Sequence, residues 1–237
     1  MLEVSNLECV RGDRRLFADM SFSVKPGELL HVQGPNGSGK TSLLRMVCGL
    51  VVPVQGDIFW GGENIRTLRE DYFRDITYLG HLRGIKEDLT ALENLRILMG
   101  LAGQEGGADA DESTVVAALG KMGLAGREDL PAKVLSQGQK RRVALARLLL
   151  CKTRLWILDE PFTALDVTAI AVVQALLSQH LHNGGMIILT THQDLDVLSK
   201  VSSAGAVQRL HLKDVSINSI KPPGQGENTQ KSGVYAE

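Results

Sequence analysis

The chain has 237 residues, of which 43% are hydrophobic, and its 26 lysines and arginines nearly balance its 27 acidic residues. This length is enough for one large domain, or two merged lobes, to bury a core without disulfide or metal support. The formal net charge of −1 argues against general binding to nucleic acid or anionic lipid. The three cysteines form no C-x-x-C pair and are interpreted as small buried hydrophobic residues. No apolar run approaches the roughly 18 residues of a membrane-spanning helix, so any membrane association is expected to depend on a partner.

The amino-terminal part of the chain predicts an antiparallel sheet beside the start of an α/β core. Apolar and polar residues alternate over Leu2–Leu7, Phe17–Val24 and Gly56–Trp60, as in strands that are covered on one face. The run Leu29–Val32 is almost continuously apolar, which is typical of a parallel strand covered on both faces. Helical spacing follows over Thr41–Gly49.

The middle of the chain, over about residues 88–150, predicts an inserted helical lobe. Strand patterns are absent from its first part, which is typical of two or three amphipathic helices. Helical spacing is clearest over Leu92–Leu101 and Gln137–Leu150. The glycine-rich stretch 103–111 between them is interpreted as a mobile connection.

The last part of the chain predicts the rest of the α/β core, followed by a tail. Leu155–Leu158 and Met186–Leu189 read as buried parallel strands, with helical spacing between them over about Ala169–Leu181. Such alternation implies right-handed crossovers between parallel strands. The domain is expected to span residues 1–212. Residues 213–237 are poor in large apolar side chains and are expected to form a flexible tail.

A phosphate-binding motif follows the apolar strand Leu29–Val32. The run Gly34–Thr41 fits G-x-x-x-x-G-K-[ST] between a strand and a helix. Its glycines let successive N–H groups point inward as an anion nest, and the positive end of the helix dipole lies behind them. The predicted phosphate-binding residues are Gly34, Pro35, Asn36, Gly37, Ser38, Gly39, Lys40, Thr41 and Ser42. In this motif Lys40 reaches the β and γ phosphates and Thr41 binds Mg²⁺, so the chain is predicted to bind a nucleoside triphosphate.

Two carboxylates, Asp159 and Glu160, follow the buried run Leu155–Leu158. Buried carboxylates are costly without a charge partner, and Mg²⁺ with an attacking water supplies one. Asp159 is the candidate metal ligand, directly or through a water. Strand alternation turns Glu160 to the opposite side, where it can accept a proton from the attacking water. The alternative is an ordinary pair of acids at a strand end, which the upstream phosphate motif disfavours.

The first turn of the helix predicted over Gln137–Leu150 contains a glycine. Ser136 and Gln139 match the S-x-x-Q capping box, and capping alone explains this pair. Capping does not explain Gly138, because glycine costs about 1 kcal/mol relative to alanine inside a helix. A glycine at this place lets a phosphate approach exposed N–H groups closely.

The run Leu135–Gln139 resembles the LSGGQ signature of ABC transporter ATPases, with Gln137 at the place of the first glycine. The resemblance covers about residues 1–212. It implies an α/β P-loop NTPase fold, the ABC-type nucleotide-binding domain, with an antiparallel β subdomain and an inserted helical subdomain. It also implies a head-to-tail dimer in which ATP lies between the phosphate motif of one copy and the signature of the other. Across that interface the nucleotide is contacted by Ser136, Gly138 and Gln139.

Two further stretches match the same family. Thr163–Asp166 corresponds to the D-loop, and His192 corresponds to the switch histidine. The resemblance implies that His192 senses the γ phosphate and holds the geometry of Glu160 and its water. The alternative for His192 is a polar cap after a strand.

Two positions depart from the usual ABC pattern. His81 stands where a glutamine usually contacts Mg²⁺ and the partner, and because Mg²⁺ prefers oxygen ligands, direct metal contact by His81 is disfavoured. Arg11 stands where an aromatic residue is expected to stack on adenine. Its guanidinium can stack instead; Phe17 is the alternative stacking residue, and a solvated turn is the alternative for Arg11.

Other polar residues are given structural interpretations. The basic run Lys140–Arg142 is interpreted as a solvated helix face and not as a nucleic-acid site. His180 and His182 are assigned to the polar side of a helix. No metal cluster is predicted beyond nucleotide-bound Mg²⁺.

Four stretches resemble more narrowly the ATP-binding subunit of the haem exporter in cytochrome c biogenesis. They are Gly80–Lys86, Leu89–Leu95, Arg141–Arg147 and Leu155–Asp166, and His81 is a feature of that family. The resemblance implies ATP and Mg²⁺ as cofactors and multipass membrane subunits as partners, with the chain peripheral on the cytoplasmic face of the inner membrane. It leaves open whether haem itself is moved or a haem-loaded chaperone is released. The chain has no C-x-x-C-H motif and is expected to bind no haem.

The favoured function is therefore that of an ATP-hydrolysing, energy-coupling subunit of a membrane complex. An ATPase subunit of another ABC transporter is the nearest alternative. A soluble ABC-type ATPase of DNA repair or translation usually has tandem cassettes or coiled coils, which this sequence lacks. Glu160 and His192 argue against a module that binds ATP without turnover, and a small-molecule kinase leaves Leu135–Gln139 without a role.

Overall fold

The computed structural model of the chain describes residues 1–80, 84–100, 111–192, 201 and 206–212. The strands in these ranges are β1 (Leu2–Arg11), β2 (Arg14–Val24), β3 (Glu28–Gln33), β4 (Gln55–Trp60), β5 (Glu63–Asn64), β6 (Ile76–Leu79), β7 (Leu155–Asp159), β8 (Met186–Thr190) and β9 (Ala206–His211). The α-helices are α1 (Lys40–Val47), α2 (Ile65–Leu68), α3 (Glu70–Asp75), α4 (Ala91–Gly100), α5 (Glu112–Lys121), α6 (Gln137–Ala146) and α7 (Val167–His182). Short 3₁₀ turns cover Ala132–Val134 and Arg147–Leu149.

A parallel sheet with the strand order β6-β7-β8-β3-β9 forms the centre of the fold. Its neighbouring strands all pair in parallel. Every residue of β7 and β8 is buried, which is why both strands were recognisable as unbroken apolar runs. Because the strands are parallel, the carboxyl ends of β3, β7 and β8 meet along one edge of the sheet.

A second sheet is antiparallel and has the order β2-β1-β4-β5. Its three long strands contain the three stretches predicted from alternating hydrophobicity. At Gly56, which has a φ of +85°, a Cβ would lie 2.4 Å from the carbonyl oxygens of both Ser5 and Asn6. Only glycine therefore lets β4 approach β1 this closely.

Both faces of the parallel sheet are covered by hydrophobic cores. Ile187 and Leu189 of β8 pack with the helical lobe and α7 on one face. Met186 and Ile188 pack on the other face with α1 and the antiparallel sheet. Alternate residues of the strand thus serve two separate cores, and the predicted α/β core with an adjacent antiparallel sheet is confirmed.

The predicted helical lobe contains α4, α5 and α6, which pack against one another. Asn94 of α4 is buried, and its Nδ2 donates to the carbonyl oxygens of Lys86, Leu89 and Thr90. Its Oδ1 accepts from the Lys86 N–H at 2.7 Å, so the segment entering the lobe is held firmly. No helix in the described ranges is long and apolar enough to cross a membrane. The predicted connection 103–111, except Asp111, and the predicted tail 213–237 lie outside the described residues.

The prediction that His180 lies on a polar helix face is wrong. Its ring stacks on Trp156 of β7, with centroids 3.8 Å apart and an interplanar angle of 6°. Helix α7 packs this side chain toward the sheet, and burial is the main reason why the pKa of His180 falls from 6.5 to about 4. His182, two residues on, is exposed, as predicted.

Because the pKa of His180 is lower in the folded chain, the unfolded chain binds more protons between pH 4 and 6.5. We expect the free energy of unfolding to decrease as the pH falls through this window, by at most about 3 kcal/mol from this residue. In His180→Phe, which can still stack on Trp156, this part of the decrease should vanish. Urea unfolding at several pH values measures it, with His182→Phe as the matched control. A steeper acid decrease in His180→Phe than in wild type would contradict the assignment.

The prediction of a solvated basic face over Lys140–Arg142 is also wrong. Lys140 is only 8% exposed and Arg141 only 3% exposed. The Lys140 ammonium lies 2.7 Å from a carboxylate oxygen of Glu87, and the Arg142 guanidinium lies 3.8 Å from Asp166. Buried charges require such partners, and these partners come from segments distant in sequence, which helical spacing cannot reveal.

Candidate active site

An open cavity of about 660 Å³ lies at the carboxyl edge of the parallel sheet, the usual ligand position in α/β folds. It is lined by Arg11, Arg14, Leu16, Asn36, Gly37, Gly39, Lys40, Thr41, Ser42, Asp159, Glu160, Thr163 and His192. Residues of the phosphate motif, the acidic strand end and the predicted switch histidine therefore meet at one cavity. Gly34, Pro35 and Ser38 of the phosphate motif do not line it.

The phosphate motif forms a tight loop between β3 and α1. Gly34, Gly37 and Gly39 all have positive φ angles. A Cβ on Gly34 would lie 2.6 Å from the Leu212 carbonyl oxygen, so glycine is required there. The Lys40 ammonium donates to the carbonyl oxygens of Gly34 at 2.7 Å and Pro35 at 3.1 Å. These bonds hold the positive charge beside the loop, within the wall of the cavity.

The two predicted metal ligands, Thr41 and Asp159, are in direct contact. The Thr41 hydroxyl donates to Oδ2 of Asp159 at 2.9 Å, and the Thr190 hydroxyl donates to Oδ1 at 2.8 Å. Asp159 is only 3% exposed, so these bonds replace its lost hydration. A hydroxyl and a carboxylate facing a cavity are a donor set that suits Mg²⁺, which also keeps water and phosphate oxygens as ligands.

Glu160 and Asp159 both line the cavity, whereas strand alternation predicts that they lie on opposite sides. The reason is the backbone of Glu160, whose φ of +52° is left-handed and ends the strand at Asp159. The Glu160 side chain is 15% exposed, with Oε1 lying 3.5 Å from Nε2 of His192. The His192 backbone N–H donates to Oε2 at 3.2 Å. Glu160 and His192 therefore form a pair at the cavity wall.

The wall beside the β1–β2 turn is formed by Arg11, Arg14 and Leu16. The sequence analysis does not predict Arg14 and Leu16 as cavity residues. Their position in the same hairpin as Arg11 is the feature of the sequence that could have indicated them. Phe17 does not line the cavity. It is 4% exposed, and its ring would lie 3.1 Å from a Cβ placed on Gly39, so it packs beneath the phosphate loop. His81 lies outside the described residues.

The predicted signature residues Ser136, Gly138 and Gln139 do not line this cavity. They begin α6 with a complete capping box: the Gln139 N–H donates to the Ser136 hydroxyl at 3.2 Å, and the Ser136 N–H donates to Oε1 of Gln139 at 2.8 Å. A Cβ on Gly138 would lie 2.6 Å from the Ala164 carbonyl oxygen. Close packing against the segment after β7 is thus one reason for glycine at this position.

The profile of the ABC transporter family matches residues 17–163. The cytochrome c biogenesis ATP-binding export protein CcmA of Nitrosomonas europaea is 61% identical over 202 residues, which cover 85% of this chain and 92% of that protein. The protein of the same name from Vibrio vulnificus is 50% identical, covering 82% of this chain and 93% of that protein. The chain belongs to the ABC transporter family, among the cytochrome c biogenesis ATP-binding export proteins. This membership confirms the predicted family and its ATPase activity.

Solved structures share the fold. An ATP-binding subunit of an ABC transporter is 27% identical with a TM-score of 0.76, covering 91% of this chain and 88% of that chain. The ATP-binding cassette MJ0796, solved as a dimer bound to ADP and Pi in a post-hydrolysis state, is 23% identical with a TM-score of 0.75. That alignment covers 92% of this chain and 97% of MJ0796. The predicted α/β P-loop fold with its antiparallel sheet and helical lobe is therefore confirmed.

Proposed function

We propose that this chain is the energy-coupling ATPase subunit of a membrane complex that serves cytochrome c biogenesis. The proposal rests on one observation. A single cavity is lined by Lys40, Thr41, Asp159, Glu160 and His192. The proposed setting is that of the cytochrome c biogenesis ATP-binding export proteins to which this chain is 50% to 61% identical. The proposed location is the cytoplasmic face of the inner membrane, where the chain is peripheral.

ATP and Mg²⁺ are the proposed cofactors of this cavity. Lys40 and the N–H groups of Asn36–Ser42 bind the phosphates, and Thr41 and Asp159 hold the metal. When bound there, Mg²⁺ would neutralise the negative charge that develops on the transferred phosphoryl group. Arg11 is proposed to stack on the base, since guanidinium groups stack on aromatic faces.

Glu160 is the proposed general base for the attacking water. Glu160 lines the cavity and its side chain is 15% exposed, a position from which it can hold and deprotonate a water near the γ phosphate. The contacts of His192 with both carboxylate oxygens limit the orientations that Glu160 can adopt. His192 is proposed to maintain this orientation when the γ phosphate is bound.

A second copy of the chain is proposed to complete the site. Ser136, Gly138 and Gln139 are absent from the cavity lining of their own chain, which is the arrangement expected if they serve the nucleotide of a partner copy. In that dimer the N–H groups at the start of α6 face the γ phosphate. ATP binding then closes the dimer and hydrolysis opens it, because the shared contacts exist only in the closed form.

Mixing two defective chains tests the shared site. Lys40→Met removes the phosphate-binding ammonium, whereas Ser136→Asp keeps a good helix cap and places a negative charge opposite the γ phosphate. Each mixed dimer contains one site with both an intact phosphate loop and an intact signature. The mixture should therefore hydrolyse more ATP than the sum of the separate variants. A mixture without this gain would contradict the head-to-tail arrangement.

The membrane partners are proposed to be multipass subunits that contact the lobe around His81–Leu95, of which residues 84–95 are described by the structure. Nucleic acid is not proposed as a partner. The proposed cargo is haem or a haem-loaded chaperone.

Purifying the tagged full chain from detergent-solubilised membranes tests the proposed partners and cargo. We expect multipass subunits and a haem-containing component to co-purify. Recovery of the chain from the membrane fraction with neither would contradict the proposed setting while leaving ATP hydrolysis unaffected.

Thr190→Val should slow ATP turnover about tenfold, the effect of losing one hydrogen bond worth about 1.4 kcal/mol in the transition state. The buried Thr190 hydroxyl donates to Asp159 and accepts the Glu160 N–H at 3.0 Å. Valine keeps the shape without these two bonds, but it retains the bond from the Glu160 N–H to the carbonyl oxygen of residue 190 at 3.2 Å. Loss of the hydroxyl that donates to the buried Asp159 carboxylate should also reduce the free energy of unfolding by about 1–3 kcal/mol. Steady-state ATPase assays and urea unfolding measure the two effects. Thr153→Val, a buried hydroxyl at the opposite end of the sheet, is the matched control and should retain turnover.

A further inference from the structure

Arg141 is a buried cation beside the active-site cavity that the proposed mechanism does not use. It lies on α6 and is 3% exposed. A charged guanidinium is costly to bury unless its N–H groups find acceptors. The contacts of Arg141 therefore show what this side chain stabilises.

The guanidinium of Arg141 donates to four backbone carbonyl groups. Nη2 donates to Asp159 at 2.9 Å and to Glu160 at 2.7 Å. Nε donates to Pro161 at 3.4 Å, and Nη1 donates to Gly80 at 3.3 Å. One planar fork thus joins three successive carbonyl groups, starting at the last residue of β7, to the carbonyl group of the residue that directly follows β6. A lysine ammonium cannot reproduce this fork.

The backbone held by Arg141 is unusual. Glu160 has a φ of +52°, a left-handed conformation that non-glycine residues adopt only when the surrounding structure enforces it. Its N–H is bound by the Thr190 hydroxyl at 3.0 Å, and its carbonyl oxygen is bound by Arg141. The peptide groups on both sides of the Glu160 Cα are therefore fixed, and in this conformation Glu160 is part of the cavity lining.

We propose that Arg141 is a positioning residue for ATP hydrolysis. By binding the carbonyl oxygens of Asp159 and Glu160 it maintains the left-handed turn that aims the Glu160 carboxylate at the attacking water. Through Gly80 it also ties that turn to the segment that enters the helical lobe. This inference rests on the proposed role of Glu160 as the general base.

The test compares three full-length variants: Arg141→Met, Glu160→Gln and the double variant. Methionine fills much of the same volume without donating hydrogen bonds. Because about 1 Å of misplacement of a reacting group can cost about 100-fold in rate, Arg141→Met should lower kcat by about that factor. KM and the affinity for ATP should stay within about threefold of wild type, since Arg141 does not line the cavity.

The double variant should turn over no more slowly than Glu160→Gln alone, because a misplaced base and a missing base have the same consequence. Arg141→Lys keeps a buried cation with fewer fixed donors and should recover part of kcat. If Arg141→Met does not fold, the kcat of Arg141→Lys tests the inference instead. Arg154→Met is the matched control: Arg154 binds Asp75 at the opposite end of β7, and its loss should leave kcat unchanged.

The inference for Arg141 would be overturned if folded Arg141→Met and Arg141→Lys had wild-type kcat while Glu160→Gln was slow. The proposed role of Glu160 as general base would still stand. A double variant about 100-fold slower than Glu160→Gln would also overturn it, because Arg141 would then act on a group other than Glu160. Wild-type turnover in Glu160→Gln would instead refute the base, and the inference would fall with it.

Discussion

Glu160→Gln is expected to reduce ATP turnover by about 10²- to 10⁴-fold while ATP still binds, the range attributed to a positioned general base. Glutamine has nearly the shape of glutamate, so the bond from the His192 N–H to Oε2 can be retained. The amide cannot accept the proton of the attacking water. The effect should therefore be confined to the chemical step.

The measurement combines steady-state turnover, ATP affinity and size-exclusion chromatography with ATP. If hydrolysis opens the proposed dimer, a chain that binds ATP without hydrolysing it should accumulate as a dimer. Glu63 is an exposed acid on β5 that does not line the cavity, so Glu63→Gln is the control and should behave as wild type. Full turnover in Glu160→Gln would show that another group accepts the proton.

The parts of the site that sequence could predict are those encoded by consecutive residues. The phosphate loop needs its glycines and Lys40 within one turn of chain, so the motif carries its own geometry. The same holds for Ser136 and Gln139, whose capping box is present as predicted. The parallel strands were equally visible, because burial on both faces leaves an apolar run in the sequence.

The parts that sequence missed depend on contacts between distant segments. The basic run that contains Arg141 predicts a solvated helix face, yet the acceptors of Arg141 lie at residues 80 and 159–161. His180 looked polar, yet it stacks on a strand residue 24 positions earlier, Trp156. Glu160 departs from strand alternation because of its left-handed backbone. None of these features leaves a local pattern.

The cysteines illustrate a prediction from composition. Cys9 and Cys48 are buried, as predicted, whereas Cys151 is half-buried. Burial raises the pKa of the Cys48 thiol well above its usual value. Cys48 therefore stays protonated and serves as packing at the end of α1.

Lys40→Met is expected to weaken ATP binding by about 10- to 150-fold, the equivalent of a lost charged hydrogen bond worth about 1.5–3 kcal/mol. The Lys40 ammonium now donates to the carbonyl oxygens of Gly34 and Pro35. A bound phosphate is a stronger acceptor, so the ammonium can turn toward it within the same loop. Methionine has a similar length but no charge, and it leaves both the phosphate and the two carbonyl oxygens without this donor.

Affinities for ATP and for adenosine, measured on the same variant, separate this role from general damage. The affinity for ATP should fall in Lys40→Met, whereas the affinity for adenosine should not, because Lys40 acts only on the phosphates. Lys25→Met, in the exposed turn between β2 and β3, should change neither affinity. An equal loss for both ligands would mean that methionine distorts the loop itself. Unchanged ATP affinity would mean that the backbone N–H groups of the phosphate loop and the dipole of α1 provide most of the binding, with Lys40 contributing mainly to turnover.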